Sequence, residues 1–365
     1  MNKTIIILSG GTGGHVLPSV YFGNHLIKND YKCILVTDKR GSQYTDQFAG
    51  KIKIISASHL TGNLFFKFRG IIKLFIGFIQ AFFIILNLKP SIAISFGSYA
   101  SLPPSIAIKI INIFFNIKFF IHEQNSVIGK SNKFLLKYAD LVFVNYEKNY
   151  NLKKELINKI QIVGLPTSSK IINQTNYQSS IFTDKGFTIF LSGGSQGSLS
   201  ILSCFEKILS DFSLKELKDI FFIIQCPKKN INNFEKKISK FKINYLIKDF
   251  FYNLPEILNK TDLIISRCGA GSINDIIHFK IPSILIPLPS AKDNHQYENA
   301  LFIYKKDCGI LLDQNNFDLK KASNYIKEII NENDKKNIII DKLKKIKLLN
   351  TNDLMLNLIK NEISK

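Results

Sequence analysis

Two stretches of this sequence carry the residue types and spacing of a phosphate site. The first, Ser9-Gly10-Gly11-Thr12-Gly13-Gly14-His15, follows the apolar run Ile5–Leu8 and precedes Val16-Leu17-Pro18, which open a helical pattern. The second, Ser192-Gly193-Gly194-Ser195-Gln196-Gly197-Ser198, follows Ile189–Leu191 in the same way. Glycines let the backbone come close to a ligand and take positive φ. The helix that follows offers free N–H groups and the positive end of its dipole to an anion. One such loop is a common strand-to-helix turn; two, each opening one half of the chain, predict a phosphate-bearing ligand. Neither has the GxGxxG spacing of a dinucleotide site. Asp38 ends the second apolar run, but without those glycines hydride transfer is disfavoured. Gly129-Lys130-Ser131 resembles the end of a P-loop, yet Gln124 stands where its first glycine belongs.

His122-Glu123-Gln124-Asn125 comes straight after the apolar run Lys118–Ile121, with Gly129 and Asn132 beyond it. Polar residues there belong at the carboxyl end of a strand, where open α/β sheets bind ligands. The second histidine of a zinc HExxH is missing and the five cysteines form no CxxC pair, so no metal site is expected. In the second half, Ser266-Arg267-Cys268-Gly269-Ala270-Gly271-Ser272 leads into a helical pattern holding Asp275. Asp293-Asn294-His295-Gln296-Tyr297-Glu298-Asn299-Ala300 follows Pro282–Pro287. Arginine supplies a fixed positive charge for phosphate, and an acid about a turn into the next helix can hold ribose hydroxyls. The set reads as a pocket for a nucleoside diphosphate. The groups able to take a proton at these junctions are His15, whose imidazole type titrates near neutral pH, and Glu123. The sequence leaves that choice open, and leaves open the alternative that His15 only donates a hydrogen bond to a phosphate.

These residues need elements to hold them. Apolar runs at Thr4–Leu8, Cys33–Thr37, Ile52–Ser56, Ile92–Ser95, Lys118–Ile121 and Leu141–Val144 alternate with amphipathic segments, and a second series follows at Thr188–Ser192, Ile220–Gln225, Lys242–Leu246, Leu263–Ser266 and Ser283–Pro287. That alternation predicts two parallel sheets built from βαβ units, two Rossmann-like domains whose strand ends face a cleft between them. The turn-rich Gly164–Ser169 and the polar Asn173–Ser180 mark the boundary. The expected division is 1–164, 165–340 and a helical, Lys-rich tail over 341–365. A chain of 365 residues suits two such domains. Its 45% apolar and 21% charged residues fit a folded protein, and the scattered cysteines fit a reducing compartment. The net charge of +21 is uneven: residues 1–165 hold 20 Lys/Arg against 7 Asp/Glu, which suits an anionic membrane surface or phosphorylated ligands. No recognition motif supports a nucleic-acid partner.

Taken together, Gly10–His15, His122–Asn125, Gly193–Gly197, Ser266–Ala270 and Asp293–Ala300, in this order, resemble the MurG family, the membrane-associated UDP-GlcNAc transferases that complete the lipid II precursor of peptidoglycan. The resemblance runs from about residue 4 to residue 305. It implies an α/β GT-B fold and inverting, metal-free transfer of GlcNAc to the 4-hydroxyl of MurNAc in lipid I, with no cofactor beyond the substrate UDP-GlcNAc. It also implies a peripheral place at the cytoplasmic face of the inner membrane and a part in cell-wall synthesis, cell shape and division, with other cell-wall proteins as partners. By similarity the backbone near Phe251 reads uracil and Asp275 the ribose. Ser195, Gln196, Gly197, Arg267, Gly269 and Ala270 surround the pyrophosphate, and His295 and Gln296 hold the GlcNAc. Thr12, Gly13, Gly14, His15, Tyr99 and Asn125 meet the acceptor and its pyrophosphate, with Thr12, Gly13, Gly14 and Asn125 also reaching the donor. Three places depart from the family pattern: Gly97-Ser98-Tyr99 where a second glycine is usual, Asp275 where glutamate is usual, and Gly164-Leu165-Pro166 in place of a Gly-Asn-Pro turn with its nearby arginine.

The segment from Leu64 to Phe78 interleaves Phe65, Phe66, Phe68 and Phe75 with Lys67, Arg69 and Lys73, the pattern of a helix lying in a membrane interface. The most lipophilic run, Ile71–Leu86, is about 16 residues, shorter than the roughly 20 of a spanning helix, so a crossing is not expected. The rival readings are another GT-B transferase with a different lipid or small-molecule acceptor, and a nucleotide-sugar binder without catalysis.

Overall fold

The computed structural model describes residues 3–58, 63–148, 150, 152–168, 186–194, 197–251 and 253–364. Two compact units make up the chain: Met1–Ile172 with Leu349–Lys365, and Asn173–Leu348.

The first unit is built on a seven-stranded parallel sheet in the order β3-β2-β1-β4-β5-β6-β7. Its strands are β1 (Thr4–Leu8), β2 (Lys32–Asp38), β3 (Lys51–Ile55), β4 (Ile92–Ser95), β5 (Lys118–Glu123), β6 (Leu141–Val144) and β7 (Ile160–Ile162). Central strands of such a sheet are covered on both faces, so they read as continuous apolar runs. The period of two still sorts the side chains. Ile5, Ile7 and Leu35 join one core cluster with Val16, Val20 and Leu26 of the helix α1 (Gly13–Lys28). Ile6, Leu8 and Val36 join the opposite cluster with Ala81 and Ile85 of α2 (Leu64–Leu88) and Ala107 and Ile108 of α3 (Leu102–Ile111). The strand order reverses between β1 and β4, so the loops after these two strands diverge and open the crevice in which such sheets bind ligands.

The second unit repeats the plan with six parallel strands in the order β10-β9-β8-β11-β12-β13. These are β8 (Phe187–Ser192), β9 (Ile220–Gln225), β10 (Asn244–Lys248), β11 (Leu263–Ser266), β12 (Ser283–Leu285) and β13 (Gly309–Leu311). Its switch point lies between β8 and β11.

Three features differ from the sequence reading. β7 and β13, three residues each, gave too short a run to register. β10 starts at Asn244 rather than Lys242, because Lys242 takes a left-handed conformation (φ +48°) that closes the turn before the strand. The tail does not stand apart: its helix Thr351–Ser364 packs Met355, Leu356 and Ile359 into the first unit's core, beside Val16 and Val20. Asn352 Nδ2 donates to Thr167 O (3.1 Å), and His25 Nε2 lies 3.0 Å from Asp353 Oδ1.

Candidate functional site

The first glycine loop is shaped by close approach. A Cβ on Gly10 would lie 2.4 Å from Ala100 Cβ and 2.7 Å from Asp38 Oδ1, and Gly11 sits at φ +81°. Asp38, buried at the end of β2, ties the loop down by accepting from Gly11 N (2.7 Å) and Gly41 N (3.0 Å), while Arg40 Nε donates to its other oxygen (3.2 Å). Asp38 therefore anchors the loop. Thr12 is extended and makes no side-chain cap to α1, and no acid occupies the first turn. The N–H groups of Gly13 and Gly14 consequently remain open to an anion.

His15 lies in that first turn. Its Nδ1 sits 3.0 Å from Phe96 O and 2.7 Å from Gln124 Oε1, and its Nε2 has no hydrogen-bond partner among the described residues. The polar cluster after β5 is almost wholly buried. His122 Nε2 lies 2.9 Å from Gly164 O, and burial lowers its imidazole to a pKa of about 4. Gln124 Nε2 approaches His122 Nδ1 (3.2 Å) and donates to His122 O (3.0 Å). Glu123 is only 1% exposed. It accepts from Asn125 N (3.1 Å) and Asn125 Nδ2 (3.3 Å) on one oxygen, and from Gly129 N and Asn132 Nδ2 (2.9 Å each) on the other. Of the two bases that the sequence left open, Glu123 is committed to holding its own loop, because both of its oxygens already accept two bonds.

Tyr99 follows the sharp turn after β4, where Gly97 and Ser98 both take positive φ (+80° and +79°). The serine that departs from the family pattern thus occupies a conformation that favours glycine.

In the second unit, Gly194 (φ +78°) and Gly197 (φ +67°) shape the loop after β8, with Gly194 N donating to Ser192 Oγ (3.3 Å). Ser195 and Gln196 lie outside the described residues. Arg267, at the end of β11, is 3% exposed and has no carboxylate partner among the described residues. Its guanidinium donates to Ile286 O (2.9 Å), Pro287 O (3.1 Å), Ser198 Oγ (2.9 Å), Ser200 Oγ and Gln314 Oε1. Its donors are all engaged within the unit, so it shapes the start of the helix Leu199–Ser210, and only its charge extends to the glycine loop. Sequence reasoning singled out Arg267 but missed Ser200 and Gln314, which come from separate segments and carry no local signal.

Gly269 and Ala270 open the helix Ala270–Phe279, and a Cβ on Gly269 or Gly271 would meet nothing within 4 Å. Asp275 projects from this helix, and desolvation pushes its carboxyl up to about 7. Gln296 Oε1 accepts from Leu288 N (2.9 Å) and Cys268 N (3.4 Å), and its amide nitrogen has no acceptor among the described residues. His295 Nδ1 contacts Lys292 O (2.7 Å). Phe251 is buried after β10, its ring edge-on to Phe190 with centroids 5.9 Å apart. Among the described residues no group of three or more His, Cys, Asp or Glu side chains converges as metal ligands.

The apolar helix is longer than the sequence reading had it. α2 spans 25 residues and is long and apolar enough to cross a membrane by length and composition, so shortness does not exclude a crossing. One stripe of it, Gly70, Gly77, Ala81 and Ile85, is buried, and a Cβ on Gly77 would overlap Ser56 O. Phe78, Phe82, Ile84, Leu86 and Leu88 are half-buried against the same core, while Phe65, Phe66, Phe68, Arg69, Lys73 and Phe75 are all exposed.

The glycosyltransferase family 28 N-terminal domain matches residues 5–144, and the family's C-terminal domain matches residues 188–351. The chain belongs to glycosyltransferase family 28. A relative from Rickettsia africae, named UDP-N-acetylglucosamine--N-acetylmuramyl-(pentapeptide) pyrophosphoryl-undecaprenol N-acetylglucosamine transferase, is 34% identical over 350 residues, covering 90% of this chain and 91% of its own. A protein of the same name from Rickettsia rickettsii matches to the same extent. Among solved structures, MurG of Acinetobacter baumannii superposes with a TM-score of 0.76 at 19% identity, over 98% of this chain and 99% of that one. A UDP-GlcNAc 2-epimerase from Neisseria meningitidis reaches 0.67 at 11% identity, over 98% and 100%. These likenesses show the GT-B fold, which this family shares with enzymes of other activity.

Proposed function

We propose that the protein transfers GlcNAc from UDP-GlcNAc to the 4-hydroxyl of MurNAc in undecaprenyl-pyrophosphoryl-MurNAc-pentapeptide, giving lipid II and UDP. The observation that carries this reading is the site on the first sheet of a family 28 chain: an imidazole anchored through Nδ1, with Nε2 unpaired, beside the open amides of Gly13 and Gly14. A sugar hydroxyl is a poor nucleophile until its proton is taken. In this mechanism His15 Nε2 takes that proton, the freed oxygen bonds to C1 of GlcNAc, and the C1–O bond to UDP breaks with its electrons leaving on the diphosphate. One displacement inverts the anomeric centre. Loop amides and the helix dipole behind Gly193–Gly197 stabilise the departing charge, with Arg267 adding its positive charge from behind the loop. Asp275 holds the ribose and Gln296 Nε2 a GlcNAc hydroxyl. No resident cofactor or metal is required.

The protein works as a peripheral enzyme on the cytoplasmic face of the inner membrane, docked on anionic lipid by the open face of α2 and alongside other cell-wall proteins. The test is turnover of UDP-GlcNAc with a short-chain lipid I analogue, with and without EDTA, following UDP and the disaccharide. Product in both conditions supports the reading; tight UDP-GlcNAc binding with no product moves the assignment to another acceptor.

A further inference from the structure

The hydrogen bonds around His15 continue inward, and their directions can be assigned. Gly164 O only accepts, so His122 Nε2 carries the proton at that 2.9 Å contact. His122 is fully buried and neutral at physiological pH, so its Nδ1 is bare and needs a donor. Gln124 Nε2 is placed to supply it at 3.2 Å and donates to His122 O as well. With the amide nitrogen turned inward, Gln124 Oε1 must face His15, where it lies 2.7 Å from Nδ1. Phe96 O, also an acceptor, lies 3.0 Å from the same nitrogen. Two acceptor oxygens on one ring nitrogen require that nitrogen to be protonated.

We infer that Gln124 and His122 are positioning residues that, with the Phe96 carbonyl, fix His15 as the Nδ1–H tautomer and keep Nε2 bare for the acceptor hydroxyl. The two histidines then hold opposite tautomers, joined by one amide that donates to one and accepts from the other. When Nε2 takes a proton, Nδ1–H keeps both acceptors, so the ring does not have to turn during the reaction. This inference rests on His15 as the base of the proposed transferase.

The test begins with the intact resting protein, labelled with 15N in its six histidines. His15→Gln and His122→Gln assign the signals. At pH 8 His15 should show a pyrrole-like Nδ1 and a pyridine-like Nε2, and His122 the reverse; a bare Nδ1 on His15 overturns the inference. In Gln124→Met and His122→Phe the His15 shifts should move toward those of a tautomer mixture. In both, kcat should fall about 10- to 100-fold, within the range a positioned base supplies, with KM for UDP-GlcNAc changed less than about two-fold on the same reasoning. Lost kcat with the His15 tautomer intact, or unchanged kcat in both variants, overturns it, since the two residues would then act some other way or not at all. If the tautomers are as stated but no acceptor is glycosylated, this arrangement stands and the transferase reading fails.

Discussion

Asp275 carries an unusual load for a surface-reaching carboxyl: desolvation sets it at about 7, so near neutral pH it is divided between two forms. Ribose hydroxyls donate to the ionised form. Affinity for UDP-GlcNAc should therefore rise as pH goes from 6 to 8, and Asp275→Asn should flatten that rise, as titration calorimetry at several pH values would show. The stability effect has the opposite sign. A carboxyl raised in the folded state favours folding at low pH and loses that contribution as pH climbs through about 7. Thermal unfolding of Asp275→Asn should match the parent near pH 4 and exceed it at pH 8. Ser98 gives a second residue-scale prediction. Its left-handed backbone costs about 1–2 kcal/mol, offset in part by the chain entropy that a glycine adds to the unfolded state. Ser98→Gly should thus stabilise by roughly 0.5–1 kcal/mol in urea unfolding. At this scale the sequence revealed which residues matter better than what they do. Glycine loops and charges at strand ends are local signals, so His15, Arg267 and Gln296 stood out. Their partners are not local: Gly129 N and Asn132 Nδ2 hold the carboxylate of Glu123, and five oxygens from three segments surround the guanidinium of Arg267.

The strands were legible because buried parallel strands are short apolar runs bounded by turn residues, and most bounds fell within two residues of the observed ones. α2 was misjudged for a definite reason. Lys67, Arg69 and Gly70 interrupt the apolar run near its start, whereas a helix ends where its backbone is capped. Asn63 Oδ1 accepts from Phe66 N at the start, and Lys89 turns left-handed (φ 42°) before Pro90 at the end. Between these caps a narrow stripe of small residues seats the helix on the sheet, and the wide apolar face left over includes Phe65 and Phe68 at 69% and 64% exposure. An apolar face of that size needs a cover, and cations beside aromatics suit an anionic bilayer surface. Phe65→Ser with Phe68→Ser should weaken flotation with anionic liposomes while leaving turnover of a soluble acceptor analogue intact. Equal loss of both would refute the interfacial role.

At the scale of the whole molecule, the chain divides after Ile172, where the sequence reading drew the line after residue 164, and Leu349–Lys365 returns to the first unit. The Lys-rich tail suggested a solvated helix packing on the domains; that Met355, Leu356 and Ile359 form the packed face shows only at helical spacing against a partner more than three hundred residues away. Met355→Ala with Ile359→Ala should cost about 2–5 kcal/mol for each side chain. Hydrogen exchange should report that cost as faster amide exchange in α1, with the helix Ala270–Phe279 unaffected; a uniform change across both units would contradict the assignment. The same return of the chain has a consequence for biosynthesis. The residues that finish the first unit leave the ribosome after the entire second unit has emerged, so the half that is translated first is the half whose core closes last. Until then the faces of Val16, Val20 and Leu26 that await the final helix stay open, and the nascent first unit depends on its neighbour's synthesis to be completed.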